Sequence, residues 1–137
     1  MIGAIHIHTV VKGIVVDDCG TINKPIYRST EDSIKRVVDE RGQDSVTHYK
    51  VIDRLNDATV LEVRLETGRT HQIRVHMEHI GHGIIGDELY GYVDENLINR
   101  QALHAYSLAF EQPRTKEKLE FKTNLPKDIE ELINKLK

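Results

Sequence analysis

Apolar and polar positions alternate most regularly between Ser45 and Glu66. The stretch "SVTHYKVIDRL" sets Val46, His48 and Lys50 against Thr47, Tyr49 and Val51, the period of two expected of a strand. Asn56 and Asp57 then make a tight connection to "ATVLEVRLE", a second strand, so an antiparallel hairpin is predicted. "TVVKGIVV" (Thr9 to Val16) is rich in β-branched residues and reads as another strand, with Asp17, Asp18 and Gly20 as the turn after it. "QALHAYSLAF" reads as a buried strand and "KLEFK" as a shorter one.

The period changes after Thr67-Gly68. Thr70 is positioned to cap a helix running to about His79, with Ile73, Met77 and Ile80 on its core side and Gly81 as the residue that ends it. "GDELYG" reads as a turn. Pro126 starts a final helix, with Asp128, Glu130 and Glu131 early and Lys135 and Lys137 late, as the helix dipole favours. Ser29 to Asp39 is ambiguous. Ile34, Val37 and Val38 have helical spacing with Ser29 or Thr30 as cap, and on pattern alone a strand is the weaker alternative. Strands outnumber helices, which predicts an α+β fold with a mixed, mainly antiparallel sheet and flanking helices. No repeat or linker divides residues 1–137, so a single domain is expected.

Composition narrows the function classes. With 39% hydrophobic and 30% charged residues, the chain suits a water-soluble globular protein, and no apolar run approaches the roughly 20 residues of a membrane span. A membrane partner is therefore not expected. The apolar start lacks the basic flank of a signal peptide, and the lone Cys19 fits a reducing, cytoplasmic setting as a buried inert thiol. The formal net charge of −3 does not advertise a nucleic-acid binder, although a local basic patch sets the field at a contact.

The densest chemistry lies in "LETGRTHQIRVHMEHIGHGIIGDELYG", Leu65 to Gly91, which holds four of the eight histidines. Among His71, His76, His79 and His82, only pairs three or four apart share a helix face, so His76 and His79 can meet while His71 diverges. There is no H-E-x-x-H string and no cysteine pair, so a metal site is not expected. The glycines lack the G-K-[ST] ending of a phosphate loop. There is no G-x-S-x-G elbow, and Ser107 lies inside a strand pattern. What remains is anion or nucleic-acid contact: Arg69 precedes a helix N-terminus, His71 and Gln72 add donors, and Arg74 follows about one turn on.

These residues resemble a known family. The run from Gly68 matches the G-R-[ST]-H-Q-[IL]-R-V-H motif of the RluA-type pseudouridine synthases, and the glycine-rich run after it matches the family's G-H-P-I-x-G-D-x-x-Y-G. "VVKGIVVDDCGTINKPIYR" and "QALHAYSLAFEQPRTKEKLEFKTNLPKDI" are similar to the flanking blocks, so the resemblance covers Val10 to Ile133. It implies a mixed, mostly antiparallel sheet with an RNA cleft and makes Ser33 to Asp39 a strand. It also implies isomerisation of a uridine flipped out of structured RNA, in the family's case ribosomal large-subunit RNA, with no metal or organic cofactor. Arg74 corresponds to the arginine that pairs with the family's catalytic aspartate. Arg69, His71 and Gln72 correspond to residues lining the cleft, Leu103 to a pocket residue on the base, and Gly68, Gly86 and Asp87 to supporting structure.

The family's H-R-L-D-x-x-T-S-G motif, which carries that aspartate, does not occur here. Asp53 in "VIDRL" lies in the hairpin strand and is not a substitute, and Ile7 stands where the family has a tyrosine on the target base. The resemblance thus predicts the C-terminal portion of a catalytic domain, inactive alone. The alternatives are an RNA-binding module without chemistry, or an assembly partner of a separate aspartate-bearing half. A divided sheet would leave an open edge, so self-association is expected, with Met1 to Val16 as its candidate segment.

Overall fold

The computed structural model describes residues 5–28, 35–111, 118–122 and 124–137. The predicted hairpin is its backbone. Strands β5 (Val46–Leu55) and β6 (Ala58–Leu65) pair antiparallel across Asn56-Asp57, where Asp57 takes φ 54°. Around them β1 (Ile5–Lys12), β2 (Cys19–Asn23), β7 (Leu103–Glu111) and β8 (Lys118–Lys122) complete a sheet of six strands in the order β2-β5-β6-β1-β7-β8. Every ladder between these strands is antiparallel. A separate ribbon joins β3 (Ile26–Arg28) to β4 (Arg36–Val38). Residues 36–38 of the ambiguous segment are therefore strand, because cross-strand pairing with Ile26–Arg28 overrides their helical spacing; Ser29 to Ile34 and the expected cap there lie outside the described residues.

Helix α1 (Gln72–His79) and α2 (Lys127–Leu136) pack into the same core as the sheet. One face of β1 and β6 contributes Ile7, Leu61 and Val63, α1 adds Ile73 and Met77, and α2 adds Ile129 and Leu132. At its hairpin end β6 is buried on four consecutive residues, Ala58 to Leu61, which requires cover on both faces of the sheet. α1 ends as its sequence predicts. Gly81, at φ 83°, lets its own N–H reach the Glu78 carbonyl and the His82 N–H reach the Met77 carbonyl, which satisfies two of the helix's last acceptors.

Several local expectations are corrected. Thr70 does not cap α1: the cap position is His71, in the left-handed region at φ 57°, and no side chain caps the helix. The first strand runs from Ile5 and stops at Lys12, because Gly13 turns the chain at φ 82°. Gly20 is not in the turn but within β2, opposite Tyr49, whose ring lies so close that a Cβ at Gly20 would meet its hydroxyl at 2.5 Å. Cys19, expected buried, is exposed. Within the candidate Met1 to Val16 segment, the described strand β1 is paired on both sides, to β6 and β7, and so offers no open edge; among the described residues the sheet's edges are β2 and β8. Among the described residues no helix is long and apolar enough to cross a membrane.

Two glycines that the sequence marked as supporting structure differ sharply. Gly86 sits at φ 87°, and a Cβ there would fall 1.9 Å from the Arg100 carbonyl oxygen. At Gly68 a Cβ would meet nothing within 4 Å, so space does not demand glycine there. Gly86→Ala should therefore destabilise the fold by at least the roughly 1–3 kcal/mol of a strained backbone, read from the urea midpoint. Gly68→Ala should stay within about 0.5 kcal/mol of wild type. Equal midpoints for the two variants would contradict this.

Candidate functional site

Asp87 opens the turn after α1 and is buried, its side chain 0% exposed. A carboxylate taken out of water needs full compensation. Arg74 supplies a two-pronged contact, donating Nε to Oδ2 at 2.8 Å and Nη2 to Oδ1 at 2.9 Å. Oδ1 also accepts the backbone N–H groups of Leu89 and Tyr90 at 3.0 and 3.1 Å. Burial pushes the Asp87 carboxyl up, but the Arg74 contact and the two N–H groups outweigh it, and its pKa lies below the ordinary value of 3.8. Arg74 is raised in turn, chiefly by its hydrogen bond to Asp87.

The turn that Asp87 holds also places Tyr90. Its ring is buried beneath Arg74, whose guanidinium carbon lies 5.1 Å from the ring centre. Its hydroxyl accepts the Arg36 N–H at 2.6 Å and meets His71 Nδ1 at 2.9 Å. That contact ties the imidazole to the turn through Nδ1 and leaves Nε2 outside this hydrogen bond. Burial, reinforced by Arg74 and Arg36, lowers the His71 pKa below 6.5, so the ring is neutral at pH 7. The left-handed backbone at His71 is what turns the imidazole toward Tyr90. Histidine is among the residue types enriched in that region.

Behind this surface a chain of hydrogen bonds fixes α1 to the sheet. The Val46 N–H reaches Thr67 Oγ1 at 3.0 Å, and Thr67 donates to Gln72 Oε1 at 2.7 Å. Gln72 Nε2 donates to Thr47 Oγ1 at 3.0 Å, and Thr47 meets His76 Nδ1 at 2.7 Å. His76 Nε2 reaches the Lys24 carbonyl at 2.9 Å. A carbonyl only accepts, so Nε2 carries the hydrogen and Nδ1 accepts from Thr47. Burial lowers the His76 pKa below 6.5, partly offset by the Lys24 hydrogen bond, which suits this neutral form.

The expected site residues Arg69, His71, Gln72, Arg74 and Leu103 share one open cleft of 230 Å³. The residues completing its lining, Leu65, Ile73 and Gln101, are neutral, so no carboxylate lines it among the described residues. Gln72 lines this cleft but is not a donor to it. It is buried, and its amide is spent on Thr67, Arg69, Val46 and Thr47. Arg69 is held by its Nε on the Asp44 carbonyl at 3.0 Å. Arg74 faces a second cleft as well, with Gly86, Asp87, Arg100 and Gln101. Its partner in the structure is Asp87, where the sequence led us to expect an aspartate from outside the chain. Asp53 lines neither cleft. His76 and His79 do not form a ligand pair: no cluster of three or more metal-binding side chains occurs among the described residues, and His76 is committed to Thr47 and Lys24. Tyr90 and Gln101 were not singled out from sequence. A tyrosine three residues from a buried aspartate, needing a partner for its hydroxyl, was the available signal for the first.

Comparison with known proteins adds an independent line. The model of the family described as RNA pseudouridylate synthase matches residues 5–79. An uncharacterized RNA pseudouridine synthase of Bacillus subtilis, YlyB, is 48% identical over 128 residues, covering 93% of this chain and 42% of that protein. Ribosomal large subunit pseudouridine synthase D of Buchnera aphidicola (subsp. Schizaphis graminum) is 40% identical, covering 93% of this chain and 45% of its own. Among solved structures, Human RNA Pseudouridylate Synthase Domain Containing 1 superposes with a TM-score of 0.77 at 29% identity, over 88% of this chain and 54% of that one. The chain thus spans less than half the length of these two curated relatives.

The buried pair makes stability depend on pH with a definite sign. Because the folded Asp87 pKa is depressed, its contribution is complete above about pH 4 and is lost as pH falls through the folded value. His71 and His76 are depressed too, so stability also declines as pH drops below 6.5, where the unfolded imidazoles gain protons first. Asp87→Asn should cost about 3–5 kcal/mol at pH 7 by leaving Arg74 without its counter-charge. That penalty should shrink below about pH 4. A penalty constant across this range in urea unfolding would refute the assignment.

Proposed function

The chain belongs to the RNA pseudouridylate synthase family, and on that premise we propose that it forms the arginine-bearing wall of a uridine-isomerising RNA cleft. The observation that carries the reading is the single cleft lined by Arg69, His71, Arg74 and Leu103 and anchored from behind by the Asp87 fork. Arg69 and Arg74 offer positive charge to phosphate, and His71 adds a neutral imidazole. Leu65, Ile73 and Leu103 offer an apolar surface for a base taken out of its stack. Of the five donors on a guanidinium, Arg74 spends two on Asp87, which leaves three at its solvent side. We read residues 1–137 as one domain and as part of a pseudouridine synthase catalytic domain.

Isomerisation breaks the bond from C1′ to N1 and forms one from C1′ to C5. C5 loses its hydrogen as a proton and N1 gains one. In the family this chain resembles, one aspartate is essential to that reaction. Asp87 does not fit that role here, since it is buried and both its oxygens are engaged. The cleft therefore holds and orients the nucleotide, and the reactive carboxylate must reach it from outside the residues that line it. Ribosomal large-subunit RNA is the substrate class we favour, on the strength of what the large-subunit synthases resembling this chain are named for. Any homo-oligomer built by strand addition would use β2 or β8, the edges of the sheet.

The experiment is tritium release from 5-tritiated uridine in large-subunit RNA with this chain alone, alongside RNA binding. We expect binding without release, and weaker, less salt-sensitive binding by Arg69→Ala. Release by the wild-type chain would show that one of its own carboxylates reacts. Affinity indifferent to both salt and Arg69 would remove the RNA cleft itself.

A further inference from the structure

Among the described residues the sheet ends in two edges, β2 and β8, and the two differ in chemistry. β8 carries Lys118, Glu120 and Lys122, the kind of charge that keeps an edge strand from pairing with another chain. β2 has the sequence CGTIN. It carries no charge and no proline, and its ladder with β5 runs without a bulge. Cys19, Thr21 and Asn23 on it are exposed.

The ladder with β5 fixes which backbone groups face outward. The Val51 N–H donates to the Asp18 carbonyl at 2.8 Å, and the Lys24 N–H donates to the Ser45 carbonyl at 3.2 Å. Alternate residues of a strand direct their N–H and C=O to the same side. Asp18, Gly20, Ile22 and Lys24 therefore face β5, and Cys19, Thr21 and Asn23 present their groups to the free side. An antiparallel partner set against these groups exchanges both bonds with each residue it opposes.

The strand is complementary to itself. With Thr21 set against Thr21 of a second copy, Cys19 opposes Asn23 at either end, and each outward group of the three residues meets a partner. The same register brings Asp18 opposite the exposed Lys24 of the second copy, once at each end of the seam. Asp18 already binds Arg54 at 2.8 Å, but its side chain stays 90% exposed and can take a second cation. Exposed charge pairs of this kind add little strength. They select the register, because a slip of two residues loses both.

We propose that β2 pairs antiparallel with β2 of a second copy, centred on Thr21, so that two chains form a two-fold dimer with one continuous sheet. A seam of five residues falls short of the roughly 1,200 Å² of a stable interface, so the dimer is weak and depends on concentration. None of Cys19 to Asn23 lines either cleft around Arg74, and the dimer is independent of what those clefts bind.

The test is sedimentation velocity of the full 137-residue chain from ~10 to ~500 μM, the range of weak association. The chain should pass from monomer to dimer and no further, because two-fold pairing uses up the edge. A monomer throughout, or growth into longer assemblies, overturns the proposal. Thr21→Lys and Thr21→Asp each set like charges across the two-fold axis and should stay monomeric. Their equimolar mixture should recover the dimer, a gain that misfolding would not mimic. Dimers indifferent to either charge, or a mixture that stays monomeric, overturn the β2 seam. Cysteine crosslinking reads the register. In a Cys19→Ser background, Thr21→Cys should join two chains on mild oxidation, since opposed Cα atoms of a hydrogen-bonded pair lie about 5.5 Å apart, within disulfide reach. Cys19 of the wild-type chain, opposite Asn23, should not. The reverse pattern overturns the register centred on Thr21.

Discussion

The candidate site hangs on one buried charge. Asp87 has no water to solvate it, so its oxygens draw in Arg74 from α1 and two backbone N–H groups from its own turn. Those contacts set the path of residues 87–91, and that path puts the Tyr90 hydroxyl where β4 and His71 both reach it. Three separate pieces, the helix, the turn and the ribbon, are thereby referenced to a single carboxylate. A helix of eight residues is too short to persist alone in water. The contacts that hold its start therefore determine where Arg74 and His71 stand.

The strands were legible wherever the pattern was local. The hairpin of Val46–Leu55 and Ala58–Leu65 follows from alternation and a two-residue connection. Gly20 was misread as a turn residue because its requirement is not local: the Tyr49 ring on the neighbouring strand leaves no room for a side chain. Likewise Val37 and Val38 have helical spacing, but pairing with Ile26 and Tyr27 decides the conformation. Cys19 is exposed because the first residue of an edge strand has a neighbour on one side only.

In the site, the gathering of Arg69, His71, Arg74 and Leu103 was legible through family resemblance, not through spacing, since Leu103 arrives from another strand. The inward commitment of Gln72 was not legible. An amide two residues after an N-cap threonine looks like an outward donor. It points inward because His71, not Thr70, takes the cap and rotates the first turn. Asp87, which holds Arg74 in this structure, lies thirteen residues further on, a separation that carries no geometric rule.

The hydrogen-bond chain beneath the cleft has a direction. It starts at the Val46 amide, passes through Thr67, Gln72, Thr47 and His76, and ends at the Lys24 carbonyl. An amide hydrogen does not leave at neutral pH, and a carbonyl does not take one up. Although the chain contains a histidine and two hydroxyls, it has neither a proton source nor a proton sink. It is a scaffold that cannot conduct, so it holds α1 to the sheet without coupling the cleft to the interior by proton transfer.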